Sequence, residues 1–170
     1  MKILAVQNRM GIGDTVIFLP FIKALSKKFN SPISILVKEN SKADQFLFQT
    51  NYIDKIIFLE RGKENSNKHS GFFGSLNLIK DIKKYKFDKI IIFNSSLRFK
   101  LIAELSGIPE IYQYPLFKKN KQHITDTPKK FIKEKFNHLC IAIIIICWRH
   151  NQKFIKIEGT CNFHKIYCLT

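Results

Sequence analysis

Apolar residues in the first 115 positions come in two rhythms. Short unbroken runs at 2–7, 33–38, 54–59 and 88–93, with a weaker one at 110–114, suit strands buried on both faces. Between them, apolar residues recur every three or four positions. Residues 15–29 place Ile17, Phe21, Ala24, Leu25 and Phe29 on one helical face, and residues 75–86 do the same with Leu76, Ile79, Ile82 and Lys83. Shorter helices are predicted at 42–49 and 96–106, the latter closed by Gly107. Pro20 predicts a kink or a late start in the first long helix, and the polar, glycine-containing stretch 60–74 reads as a loop. Thr127 as N-cap followed by Pro128 predicts one further helix to Phe136.

Strict alternation of strand and helix implies a parallel sheet with helices on both faces, an α/β, Rossmann-like, doubly wound domain. A local echo agrees with it. Asn51-Tyr52-Ile53-Asp54-Lys55-Ile56-Ile57-Phe58 and Lys86-Phe87-Asp88-Lys89-Ile90-Ile91-Ile92-Phe93 both run from a loop into an isoleucine-rich strand. In the expected strand order 3-2-1-4-5, the ligand crevice lies where the order reverses, between the first and fourth strands. The loop Asn8 to Asp14 would there face Asn94-Ser95-Ser96.

Composition adds a net charge of +16, from 29 Lys and Arg against 13 Asp and Glu. Such an excess attracts polyanions of any kind. Lysine, isoleucine, asparagine and phenylalanine are all abundant, as an AT-rich coding sequence would make them, so the charge alone assigns no function. Nucleic acid is not an expected partner, because no basic stripe interleaves with aromatics. No secretory leader is visible, and no run reaches the roughly 18 apolar residues of a spanning helix. The expected location is the cytoplasm, peripheral to the inner membrane at most.

The informative loop is Gly11-Ile12-Gly13-Asp14. Glycines allow close backbone approach to a ligand, and the helix start offers free N–H groups at a positive dipole end. The third glycine of a dinucleotide fingerprint and the lysine of a P-loop are both missing. Asp14 is either a helix cap or a carboxylate placed for chemistry. Asn94, Ser95, Ser96 and Arg98 lie at the same crevice, with Ser95 or Ser96 also able to cap a helix. Arg61, Lys63, Lys68 and His69 sit in the long loop, where they either grip anions or are simply solvated. The five histidines show no metal-ligand spacing, and no D-x-D triplet occurs.

Several of these pieces, in order, resemble glycosyltransferase family 9, the ADP-heptose:lipopolysaccharide heptosyltransferases. They are Lys2-Ile3-Leu4-Ala5-Val6, Gly11-Ile12-Gly13-Asp14, Leu19-Pro20 with Ile22-Lys23-Ala24-Leu25, Ile35-Leu36-Val37-Lys38-Glu39, Asn51 to Ile57, and Phe87 to Phe93 followed by Arg98 and Ala103 to Pro109. The resemblance covers residues 1–136. It implies a GT-B enzyme whose N-terminal half binds the acceptor, with Asp14 as general base, while position at the crevice makes Gly11, Gly13, Asn94, Ser95, Ser96 and Arg98, and position in the long loop Arg61 and Lys63, the candidate substrate contacts. The missing D-x-D triplet argues against a metal-dependent enzyme, and no cofactor is expected besides the donor, ADP-heptose or a similar nucleotide sugar. The implied partners are a glycolipid acceptor, a lipopolysaccharide core, and a donor-binding domain that this chain lacks. Tyr112-Gln113-Tyr114 departs from the family, which often has a glycine beside an aromatic there. A non-catalytic Rossmann-like module binding a nucleotide or an anionic glycan is the alternative.

After residue 138 the composition shifts. Cys140, Cys147, Cys161, Cys168 and Trp148 are the chain's entire complement of those residues, and Glu158 is the sole acid of the last 32 positions. Apolar residues form one block at 139–147 with no alternation after it. The expectation is an atypical, irregular tail at 137–170, the product of truncation or a shifted reading frame. The competing expectation is that 139–147 supplies one more buried strand. Truncation to residues 1–138 separates the two. A foreign tail leaves thermal stability unchanged or improved and solubility higher, whereas a loss of about 2 kcal/mol or more shows that the tail packs into the core.

Overall fold

A computed structural model describes residues 1–8, 11–47, 50–61, 68–116 and 125–136. Lys63 and the tail therefore lie outside the described residues. Five strands, β1 (Ile3–Val6), β2 (Ile33–Lys38), β3 (Ile53–Leu59), β4 (Lys89–Ile92) and β5 (Glu110–Gln113), form one parallel sheet in the order β3-β2-β1-β4-β5. This is the expected α/β, Rossmann-like, doubly wound arrangement. The central strand β1 pairs with β2 on one side and β4 on the other, Val6 standing opposite Leu36 and Ile92. All four of its residues are buried, as a strand covered on both faces requires.

Helices α1 (Ile12–Phe29) and α5 (Asp126–Phe136) cover one face together with α2 (Ala43–Leu47). Helices α3 (Gly71–Tyr85) and α4 (Leu97–Leu105) cover the other. The first face is built around aromatic rings. Phe93 meets Phe18 edge-on at 5.3 Å and Tyr114 at 6.0 Å, and Phe29 meets Phe136 at 5.6 Å. The second face is mostly aliphatic, with Leu4, Val6, Leu78, Ile82, Ile90 and Ile92 at its centre. Each such side chain, taken fully out of water, contributes about 1.5–3 kcal/mol.

Several local expectations are corrected. Helix α1 starts at Ile12, not Thr15, and continues through Pro20, so the late start is not observed. Its buried set is Thr15, Phe18, Pro20, Phe21, Ile22, Ala24 and Leu25, while Ile17 and Phe29 are only partly buried. The buried stripe is wide because the helix packs on the sheet with α5 beside it. Helix α3 starts at Gly71, four residues before the expected start, and Leu76 lies on its exposed side. Helix α5 starts at Asp126, which puts Thr127 inside it and leaves the N-cap expectation unfulfilled. Pro128 is still in the first turn, where its missing N–H costs no intrahelical bond.

The early start of α3 has a packing cause. Its Gly74 lies so close to the preceding chain that a Cβ would sit 2.8 Å from the Cα and carbonyl oxygen of His69. Only glycine permits that approach. His69 itself is 2% exposed. Its Nδ1 accepts from the Glu60 backbone N–H at 3.1 Å, so the ring proton is on Nε2, which donates to Asp81 at 3.3 Å. Asp81 also receives Lys68 at 2.6 Å and Lys84 at 2.9 Å. Lys68 first, then Lys84, hold its carboxyl well below the usual carboxylate range. The Arg98 guanidinium closes the brace by donating to the His69 carbonyl. His69, through its ring and its backbone carbonyl, thus ties the end of β3, helix α3 and helix α4 together.

The brace gives a pH prediction. A carboxylate with a depressed folded pKa stabilises the fold above its unfolded value, about 4, and that stability drains away as pH falls below it. Asp81→Asn should cost about 1–2 kcal/mol at pH 7, a modest figure because Lys68 and Lys84 are largely solvated. The gap between variant and wild type should shrink as pH drops from about 4 towards 2. Urea unfolding at pH 7, 4 and 2.5 checks this, and a constant gap would mean the charge on Asp81 contributes nothing.

Candidate functional site

The strand order reverses at β1, and the chain leaves β1 and β4 in opposite directions across the sheet. The two departing loops meet. Asn94 Nδ2 donates to Asn8 Oδ1 at 3.2 Å, bringing together the two segments expected to face each other. Backbone bonds prepare the meeting: the Gln7 N–H reaches Leu36 O at 2.9 Å, and the Phe93 N–H reaches Val6 O at 3.0 Å. The sheet thus extends one residue beyond each strand before the loops open.

On the β1 side, Gly11 occupies the N-cap position of α1 with φ 101° and ψ 162°. A side chain there would be strained, so the glycine is required by conformation. Gly13 is exposed, in the first turn. Asp14 is in the same turn and therefore is not the N-cap. Thr15 does not cap either. Its Oγ1 donates back to the Gly11 carbonyl at 3.2 Å. The Asp14 carboxylate is half-exposed and makes no hydrogen bond or ion pair among the described residues. It stands where the free N–H groups and dipole of an eighteen-residue helix favour negative charge.

The β4 side is built differently. Asn94 Oδ1 accepts the Ser96 N–H at 2.9 Å, which sets the turn into α4. Ser96 occupies the N-cap position, without a side-chain capping bond, and Ser95 is exposed. Of the two serine caps considered, Ser96 holds the place by backbone alone. Gln113, at the end of β5, holds this loop from beneath. Its Nε2 donates to Asn94 O at 3.1 Å and Ser96 O at 2.9 Å. Sequence reasoning missed Gln113 as a positioning residue. The signal available was its departure from the expected glycine.

Two arginines complete the region. Arg98, in the first turn of α4, spends one guanidinium nitrogen on the His69 carbonyl, and its buried Nε has no hydrogen-bond partner among the described residues. Burial pushes its pKa down, and the charge of Arg61 pushes it further. Arg61 is exposed at the end of β3. Neither arginine forms an ion pair with a carboxylate among the described residues. Lys68 and His69 do not belong with them, since both are committed to Asp81. Among the described residues no group of three His, Cys, Asp or Glu side chains gathers as metal ligands, and no helix is long and apolar enough to cross a membrane.

No protein-family model and no curated protein matches the chain. Solved structures do. A crystal structure of a glycosyl transferase family 9 protein from Veillonella parvula DSM 2008 aligns with 82% of this chain at a TM-score of 0.60 and 17% sequence identity. The chain spans 42% of that protein's length. E. coli ADP-heptose lps heptosyltransferase II aligns with 66% of this chain and 30% of its own length, at a TM-score of 0.49 and 17% identity. At such identity the likeness establishes the fold: the described residues form a Rossmann-like domain of the kind found in a family 9 glycosyltransferase.

Proposed function

We propose that this chain is the acceptor-side half of a metal-independent glycosyltransferase, moving heptose or a related sugar from a nucleotide donor onto a lipopolysaccharide core. The observation that carries the reading is Asp14. It is a carboxylate with no partner among the described residues, in the first turn of α1, beside a crevice at the reversal point of a sheet whose fold is that of a family 9 glycosyltransferase. Transfer to a hydroxyl needs a group to take the proton as the oxygen attacks the anomeric carbon. A carboxylate engaged in a salt bridge would serve poorly, and Asp14 has none among the described residues.

The acceptor in this reading is anionic. Arg98 and Arg61 repel each other, and no carboxylate among the described residues pairs with either. A phosphate or an acid sugar bridging the pair would relieve that repulsion and satisfy free guanidinium N–H groups. Asn94 Nδ2 holds Asn8 Oδ1 while Asn94 Oδ1 holds the Ser96 N–H, so both amides are fixed in orientation beside the crevice, where sugar hydroxyls would bind. Gly11 and Gly13 leave open backbone on the opposite wall, with nothing within 4 Å of where a side chain would begin. The donor's diphosphate would be held by a second domain, consistent with the chain's spanning less than half of the solved glycosyltransferase.

Two outcomes follow. In a polypeptide carrying both halves, Asp14→Asn should lower kcat by about 100-fold or more while costing the fold no more than about 1 kcal/mol of dipole interaction. Turnover with donor and acceptor, measured beside melting temperature, decides it. Unchanged turnover with a lowered melting temperature makes Asp14 a structural residue and removes it as the base. The second outcome concerns the present chain alone. Calorimetric titration with ADP-heptose should show no binding tighter than millimolar, because leaving-group stabilisation belongs to the other half. Micromolar affinity would overturn this division of roles.

A further inference from the structure

The face that carries α3 and α4 ends in an unusual surface. Phe72 and Phe73, at the start of α3, are 76% and 79% exposed, with their rings edge-on at 5.9 Å. Leu76 follows one turn later, also exposed. On α4, Leu97, Leu101 and Leu105 recur every fourth residue, and each is more than half exposed. The two helices start side by side, since Arg98 in the first turn of α4 reaches the His69 carbonyl just before α3 begins. Scattered exposed leucines are ordinary, but six large apolar side chains on two adjacent helices are the mark of an interaction surface.

Among the described residues the net charge around this surface is positive. Along α3 the exposed side continues from Leu76 into Lys80, Lys83 and Lys84. The helix's acid, Asp81, is turned into the brace with His69 and is neutralised there by Lys68 and Lys84. Glu104 on α4 lies 3.7 Å from Lys100, so it adds no net negative charge. We propose that this face docks on an anionic lipid surface, with Phe72 and Phe73 entering the boundary between headgroups and acyl chains and the lysines meeting headgroup phosphates. Aromatic and aliphatic side chains beside lysines are the combination that binds such an interface. A second copy of the chain fits less well, because a two-fold contact would press two cationic faces together. A nucleic acid would engage the lysines but leave Leu97, Leu101 and Leu105 in water.

In a parallel sheet the following helices begin at the carboxyl ends of the strands. The exposed phenylalanines and Leu97 therefore stand at the same end as Asp14 and Asn94, and docking would bring the crevice to the lipid surface. The inference does not rest on the transferase reading, since lipid binding is measured without any transfer.

The test is co-sedimentation of the full chain with vesicles of phosphatidylcholine, alone or with about 30% phosphatidylglycerol. Binding should require the anionic lipid. Phe72→Ser with Phe73→Ser should lower the apparent partition coefficient by about 10-fold or more at an unchanged melting temperature. Lys80→Gln with Lys83→Gln should weaken binding and reduce its dependence on salt. Three results would overturn the proposal. One is wild-type protein that ignores both kinds of vesicle. Another is a double phenylalanine variant that binds as tightly as wild type, since charge or another segment would then account for the binding. The last is a wild-type dimer that the phenylalanine variant converts to a monomer, which would make a second copy the occupant.

Discussion

Everything in this domain is arranged around β1. It is a four-residue strand, fully buried, with parallel neighbours on both sides and helices above and below. Being central, it forces the chain to leave in one direction towards β2 and return on the other side at β4. The loops after β1 and β4 must then diverge, and a crevice opens between them. The Asn8–Asn94 bond spans this gap, and α1 and α4 both aim their free N–H groups at it. The site is thus a consequence of sheet topology, and the residues placed there decide what it does.

The two walls of the crevice are held with different firmness. The β4 wall is braced twice, by Gln113 beneath the loop and by Arg98 reaching the His69 carbonyl. The β1 wall is glycine-rich, turns at a positive φ, and carries an aspartate with no partner among the described residues. In the proposed transfer, the firm wall would position the acceptor and the open one would offer the carboxylate that takes its proton. The arginines add a cationic rim whose mutual repulsion an anionic ligand would relieve.

Much of this was legible in the order of residues. Buried parallel strands must be continuously apolar, so 33–38 marks β2 to the residue, and the β-α alternation implies the strand order. The crevice and its two loops follow from that order alone. What escaped reading depends on contacts distant in sequence. His69 looks like part of a polar loop, yet it is buried because Glu60 and Asp81 come to it from other elements. Gly71 and Gly74 look like helix breakers. One takes a positive φ at the start of α3, and the other lets the helix touch the chain before it. Leu76 belongs to the apolar periodicity of α3 but points outward, because Gly74, Leu78 and Ile82 define the packed stripe. Gln113 shows its value only once β5 is beside β4.

The central claim is that the crevice between β1 and β4 receives an anionic sugar. Amide NMR of the present chain, titrated with a phosphorylated or acidic sugar, tests it most directly. The account predicts shifts confined to residues 11–15 and 94–98, extending to Arg61 and saturating with the ligand. Shifts scattered over the lysine-rich surface, or gathered at the opposite end of the sheet, would contradict it.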